Sequence, residues 1–229
     1  MGGYYTAIAV MCVLGPMLQA VFIYSEYKHN MFAALFLKGA ASLIFVAVGY
    51  IGYYLCGKTD VARLILFGLI LGAAGDILLN VRYLTASRKK FFFIIGTVAF
   101  FSGHILYLAA LFVVSGNILI PLAAGAVLTL TAGIVMWIKT VPPTHFKLLG
   151  GLYIAAVVLM ASVAVSNALV VCDTWRVLFA VGAVLFMVSD MILILNTFGK
   201  EPKMFWSGVC LSLYYPGQLL IALSVGFLC

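Results

Sequence analysis

The sequence predicts an all-α polytopic membrane protein with eight transmembrane helices, and three observations lead there. Of its 229 residues, 66% are hydrophobic and only 8% charged, with a mean hydropathy of +1.24. A soluble domain carries roughly 45–50% apolar and about 25% charged residues, so the solvent for this chain must be lipid. The apolar residues come in runs of about twenty, the length of a helix that crosses the hydrocarbon core. These runs show no period-two alternation, which disfavours the closed barrel, the other way to satisfy a backbone in lipid.

The first run, residues 4–24, has no basic flank before it and continues to full length, so it reads as a span and not as a cleavable leader. The second, 31–55, carries a single charge, Lys38. The third, 61–80, contains Gly68 and Gly72 at the spacing that lets helices approach closely, followed by Asp76. The fourth, 91–115, begins after the cluster Arg88-Lys89-Lys90 and holds His104. The fifth, 118–138, carries no charge, and the sixth, 148–171, carries Tyr153. The seventh, 175–196, holds Asp190, and the eighth, 204–228, holds Tyr214, Tyr215 and Gln218. The connections are short, so neighbours pack antiparallel. Residues 1–229 form a single membrane domain with no room for a soluble one.

The net charge of +7 is spread over these connections and does not form a phosphate-tracking groove, which argues against nucleic acid as a partner. Loops after spans one, three, five and seven hold nine basic residues: Lys28, Arg82, Arg88, Lys89, Lys90, Lys139, Lys147, Lys200 and Lys203. The opposite side holds three, Lys58, Arg63 and Arg176. The positive-inside rule then puts the nine-residue side in the cytoplasm and both termini outside, in what we expect to be the cell membrane. The five cysteines show no metal-ligand spacing, so no metal and no cofactor is expected. Cys56 and Cys172 fall on the same side, where a disulfide is possible, but free thiols are the plainer expectation.

A shift of half the chain lays Gly75-Asp76 on Ser189-Asp190 and Gly68 on Gly182. It also lays Phe100-Phe101-Ser102-Gly103-His104 on Tyr214-Tyr215-Pro216-Gly217-Gln218. Because it spans four helices, both halves run in the same direction. A duplicated four-helix unit, with half-repeats of roughly 1–115 and 116–229, is the expected organisation.

Four ionisable residues lie inside spans: Lys38, Asp76, His104 and Asp190. A charge near the bilayer centre costs roughly 2.5–3.5 kcal/mol on insertion scales, so each needs a partner or a purpose. All four fall in the cytoplasmic half, with His104 and Gln218 the deepest, and Tyr153, Tyr214 and Tyr215 share that half. One polar cavity holding them all is therefore expected, with Asn80 one helical turn beyond Asp76 to orient its carboxyl. Plainer readings exist for each. Lys38 can snorkel, the aspartates can form a structural ion-pair network with it, His104 can be a hydrogen-bonded core residue, and the aromatics can serve packing.

Several of these residues sit in longer motifs: Gly75-Asp76-Ile77-Leu78-Leu79, Phe101-x-x-His104-x-x-Tyr107, Ser189-Asp190 followed by Asn196-x-Phe198, and Tyr214-Tyr215-x-x-Gln218-x-Leu220-Ile221. In this order, with Lys38 and the pair Tyr153 and Met160, they resemble the YhhN-type lysoplasmalogenase family of multi-span membrane hydrolases. The chain departs from that pattern at Gly39, where proline is expected after the lysine, and at Pro216-Gly217; both bear on pocket shape and head-group preference.

The resemblance implies hydrolysis of the vinyl ether bond of a lysoplasmalogen drawn from the membrane, giving a fatty aldehyde and glycerophosphocholine or glycerophosphoethanolamine. Such chemistry needs a protonated acid and a second group that stabilises positive charge and steers water, and a pair of buried carboxyls suits both tasks. Asp76 and Asp190 are the expected catalytic residues. Lys38, Asn80, His104, Tyr107, Tyr153, Ser189, Tyr214, Tyr215 and Gln218 are expected to bind or orient the substrate. The sequence does not separate the two carboxyl roles; the reading adopted makes Asp190 the acid and Asp76 the Lys38-paired base, with the lipid phosphate near Arg82 or Lys38. A proton-coupled transporter is the alternative, since parallel repeats and midplane carboxylates serve transport too. An intramembrane aspartyl protease fits less well, because Ala73-Ala74-Gly75-Asp76 lacks the first glycine of Gly-x-Gly-Asp and no Pro-Ala-Leu follows.

Overall fold

The computed structural model describes residues 2–142, 144–200 and 203–229. Eight helices run through them: α1 (Gly2–Tyr27), α2 (Met31–Leu55), α3 (Asp60–Val81), α4 (Lys89–Val114), α5 (Leu119–Lys139), α6 (Thr144–Val170), α7 (Thr174–Phe198) and α8 (Met204–Ser224). All eight are long and apolar enough to cross a membrane, and the chain is an integral membrane protein. Local chemistry sets several starts. The side chains of Asn30, Thr59 and Asp173 accept hydrogen bonds from the backbone N–H of Ala33, Ala62 and Arg176, satisfying donors that a helix start leaves free.

The packing inverts the pattern of a soluble protein. Large apolar side chains such as Leu130 (67% exposed) and Leu169 (81%) point outward to lipid, while Lys38, Asp76, His104, Asp190 and Gln218 are all buried. Helices α2, α3, α4, α6, α7 and α8 supply most of the interior. By contrast α5 is peripheral: its buried residues are Pro121, Gly125 and Ala132. The closest partnerships are α3 with α4 and α7 with α8. Glycines permit both. A Cβ on Gly103 would sit 3.1 Å from the carbonyl oxygen of Gly68, and one on Gly217 would sit 2.9 Å from that of Gly182.

Two short ties close the ends. At the end bearing the nine basic residues, Val141 N–H donates to the Phe198 carbonyl at 2.9 Å, pinning the α5–α6 connection to the end of α7. At the opposite end Cys56 forms a disulfide with Cys229, their Cα atoms 5.1 Å apart. This corrects the expectation of free thiols, and of Cys172 as the possible partner: Cys172 is exposed and unpaired. The reason is tertiary. The end of α2 packs on the last turn of the chain, where a Cβ on Gly52 would meet the Gly226 backbone N at 2.8 Å, and that contact delivers Cys229 to Cys56.

Candidate active site

Asp76, one turn before the end of α3, is buried against α2 and α8. Lys38 Nζ lies 3.4 Å from its Oδ1, while the hydroxyls of Ser42 and Tyr214 both donate to Oδ2, Tyr214 at 2.8 Å. Lys38 and Ser42 are four residues apart and so share one face of α2. The ammonium also lies over the Tyr214 ring, 4.1 Å from its centroid, and over Phe22 at 5.2 Å. A buried carboxylate thus has one cation and two hydroxyl donors, the partners that buried charge requires.

Asp190 on α7 has different company. The Tyr153 hydroxyl of α6 donates to its Oδ2, and no lysine or arginine lies within ion-pair distance among the described residues. The nearest basic group is His104, whose Nε2 is 4.0 Å from Oδ2 and 3.4 Å from the Tyr153 oxygen. Both carboxyls line one cavity of about 160 Å³ with Lys38, Tyr153, Ser189 and Tyr214. Its wall is mostly apolar, a third of the lining residues being aromatic, and it reaches the region where α1, α3 and α7 end and α4 and α6 begin, the end carrying the nine basic residues.

Four of the expected site residues stand elsewhere. His104 sits behind an aromatic layer: its ring lies 4.6 Å from that of Phe186, which in turn packs on Phe100 and Tyr214. One step deeper, the Tyr107 hydroxyl donates to Gln218 Oε1 at 3.0 Å, and this bond ties α4 to α8 beneath the cavity. Tyr215 points away because adjacent residues of a helix diverge by about 100°. With Tyr214 facing Asp76, Tyr215 must turn to Phe45 and Gly15. Asn80 does line the cavity, but its amide donates to the main-chain oxygen of Asp76 at 2.9 Å and not to the carboxyl. Ser189 also lines it, donating to the Cys210 carbonyl at 2.9 Å.

Sequence reasoning missed Ser42, Glu26 and Cys210, all of which contribute here. For Ser42 a signal existed in its four-residue spacing from Lys38. Glu26 and Cys210 carry no signal, since only the packing of α1 and α8 on α2 brings them to the cavity. Among the described residues, no three His, Cys, Asp or Glu side chains gather as metal ligands would.

With this geometry in view, one comparison is decisive: the YhhN family model matches residues 32–225. The chain belongs to the YhhN family. The matched segment runs from the start of α2 to the end of α8 and so includes Lys38, Asp76, Tyr153, Asp190 and Tyr214. YhhN membership supports a lysoplasmalogenase-type family and a hydrolase-type enzyme. The match leaves out all of α1, which contributes Phe22 and Glu26 to the cavity. No solved structure matches the chain.

Proposed function

We propose that this protein hydrolyses the vinyl ether bond of lysoplasmalogens inside the membrane, releasing a fatty aldehyde and a glycerophospho-head group. The observation that carries this reading is the contrast between two carboxyls on one cavity: Asp76 has Lys38 and two hydroxyl donors, and Asp190 has one phenol and, among the described residues, no ion-paired lysine or arginine. A vinyl ether is cleaved by moving a proton to its β-carbon. The C=C electron pair forms the new C–H bond, and the α-carbon becomes an oxocarbenium ion. Water adds at that carbon and loses a proton. The hemiacetal then collapses, the aldehyde leaves and the glycerol oxygen regains a hydrogen. One water is consumed, and no oxidant or reductant is needed.

In this scheme Asp190 delivers the proton, with Tyr153 and His104 behind it orienting the carboxyl. Asp76, fixed as a carboxylate by Lys38, faces the oxocarbenium charge and takes a proton from the attacking water. The apolar wall suits a single alkenyl chain arriving from the lipid, and the basic end suits the polar head.

The decisive experiment incubates purified protein in detergent with a lysoplasmalogen and with its saturated ether analogue, and measures aldehyde. Release from the vinyl ether alone is expected. Asp76→Asn and Asp190→Asn should each lower that rate by about 10²–10⁴-fold, the usual contribution of a general acid or base. The two losses should not add, since groups acting as a unit fail to. Near-full activity in either variant, with thermal stability unchanged, would sink the two-carboxyl mechanism. Substrate-driven uptake into sealed liposomes without cleavage would instead identify a transporter.

A further inference from the structure

We infer that the seam between α1 and α8 is the side port of the cavity, and that the groove on its outer face holds the alkyl chain of the substrate. The inference rests on the lysolipid reading above and adds where the chain lies. At about 160 Å³ the cavity falls below the roughly 300–1,000 Å³ of pockets that enclose most of a drug-sized ligand. It therefore encloses the reacting end of a long-chain lipid and not the whole tail. The way straight down is closed. Phe100, Phe186 and Tyr214 pack ring on ring, with centroids 5.2 to 6.4 Å apart, and the Tyr107–Gln218 bond lies beneath them. The tail must leave sideways, between two helices.

Among the described residues seven helices line the cavity, in the ring order α1, α2, α3, α4, α6, α7, α8 and back to α1. The seam that closes this ring, α8 on α1, is the loosest of the seven. Phe22 and Leu211 face the cavity from its two helices, and a groove lies on the other side of the same seam, with Glu26 bordering both. The groove follows α8 from Met204 to Leu213, about 14 Å at about 1.5 Å per residue. That is close to one leaflet's half of a hydrocarbon core roughly 30 Å thick, so the groove matches a chain standing in the cytoplasmic leaflet. Its surface suits an alkyl chain. Ile23, Leu213 and the edges of Tyr24 and Phe205 are apolar, while the Ser212 hydroxyl is spent on the Gly208 carbonyl at 2.8 Å. Gly208 leaves the groove open, because a Cβ there would meet nothing within 4 Å. One turn deeper than Ile23, the Gln19 amide donates to the Leu211 carbonyl at 3.2 Å and holds the two helices together below the port. The α1 wall lies outside the segment that matches the family, so this route belongs to the chain's own first helix.

The test uses a saturated ether lysolipid, which is bound and not cleaved, carrying a photoreactive diazirine near the end of its chain. In wild type, label should fall on residues 20–27 of α1 and 204–213 of α8, and excess unlabelled lysolipid should remove it. Competed label on another seam, or label that the excess leaves in place, would overturn the assignment. Gly208→Leu gives a second measure, since its added side chain enters the groove and melting temperature should hold. KM for a long-chain alkenyl lysolipid should rise about tenfold more than KM for a short-chain one, the worth of about two buried methylenes. Gly133→Leu on α5, where a Cβ also meets nothing within 4 Å, should leave the ratio as in wild type. An equal rise for both chain lengths in Gly208→Leu, or no rise, would overturn the port. If wild type releases no aldehyde at all, the hydrolase reading falls, and the competed label still decides whether the port stands.

Discussion

Tyr214 and Tyr215 are neighbours on α8, yet their hydroxyls meet different surroundings. Tyr214 donates to Asp76, while the Tyr215 hydroxyl is buried with no partner among the described residues, facing the backbone of α1 at Gly15. Losing a hydrogen bond to a charged group costs about 1.5–3 kcal/mol, so Tyr214→Phe should lower kcat/KM by about tenfold or more. Tyr215→Phe deletes a buried hydroxyl that has no bond to lose. Its activity should stay within about twofold of wild type, with melting temperature held or slightly raised. Steady-state aldehyde release and a thermal melt on both variants check this, and a larger loss at Tyr215 than at Tyr214 would contradict the geometry. The sequence alone did not separate the two residues, because both lie at the right depth and depth was the only coordinate it supplied.

At the level of helices, close crossings do the positioning. Gly68 with Gly103 brings α3 onto α4, Gly182 with Gly217 brings α7 onto α8, and the members of these pairs are related by the half-chain shift seen in the sequence. Further contacts follow the same exchange: α4 packs on α6, and α8 on α2. We read these correspondences as a duplicated four-helix unit that sets Asp76 and Asp190 at equivalent places. The crossings make a stability prediction. Gly182→Leu forces a side chain into the Gly217 backbone and should destabilise by about 1–3 kcal/mol or more, as overpacking does. Gly133→Ala on α5 meets nothing within 4 Å and should be neutral or slightly stabilising. Thermal unfolding in detergent distinguishes them; equal melting temperatures would show that the crossing tolerates bulk.

For the whole molecule, two features at opposite ends bear on orientation. The cavity reaches the end with nine basic residues, and the Cys56–Cys229 disulfide lies at the end with three. Basic residues favour the cytoplasm and disulfides favour oxidising compartments, so both features argue for the same orientation. We predict that both termini face outside and that end of the cavity faces the cytoplasm. A C-terminal reporter active only in the cytoplasm should stay silent. An impermeant thiol reagent applied to intact cells should label exposed Cys172 at once, and Cys56 and Cys229 only after reduction. A strong cytoplasmic reporter signal would reverse the assignment.

By itself the sequence determined the eight spans, their order, the all-helical class and the identity of the buried ionisable residues. Hydropathy and helix length are averages over about twenty consecutive residues, and charges inside such runs stand out against them. Only the tertiary structure decided which way each helix turns. It kept Lys38, Tyr153 and Tyr214 on the cavity, brought in Ser42 and Glu26, and set His104, Tyr107, Tyr215 and Gln218 behind it. It also chose Cys229 over Cys172 as the partner of Cys56. The physical reason lies in the solvent. In water the polar face of a helix shows which side is out, but in lipid the outer face is as apolar as the core, as exposed Leu130 and buried Phe45 show. The rotation of each span is then set by contacts between helices distant in sequence.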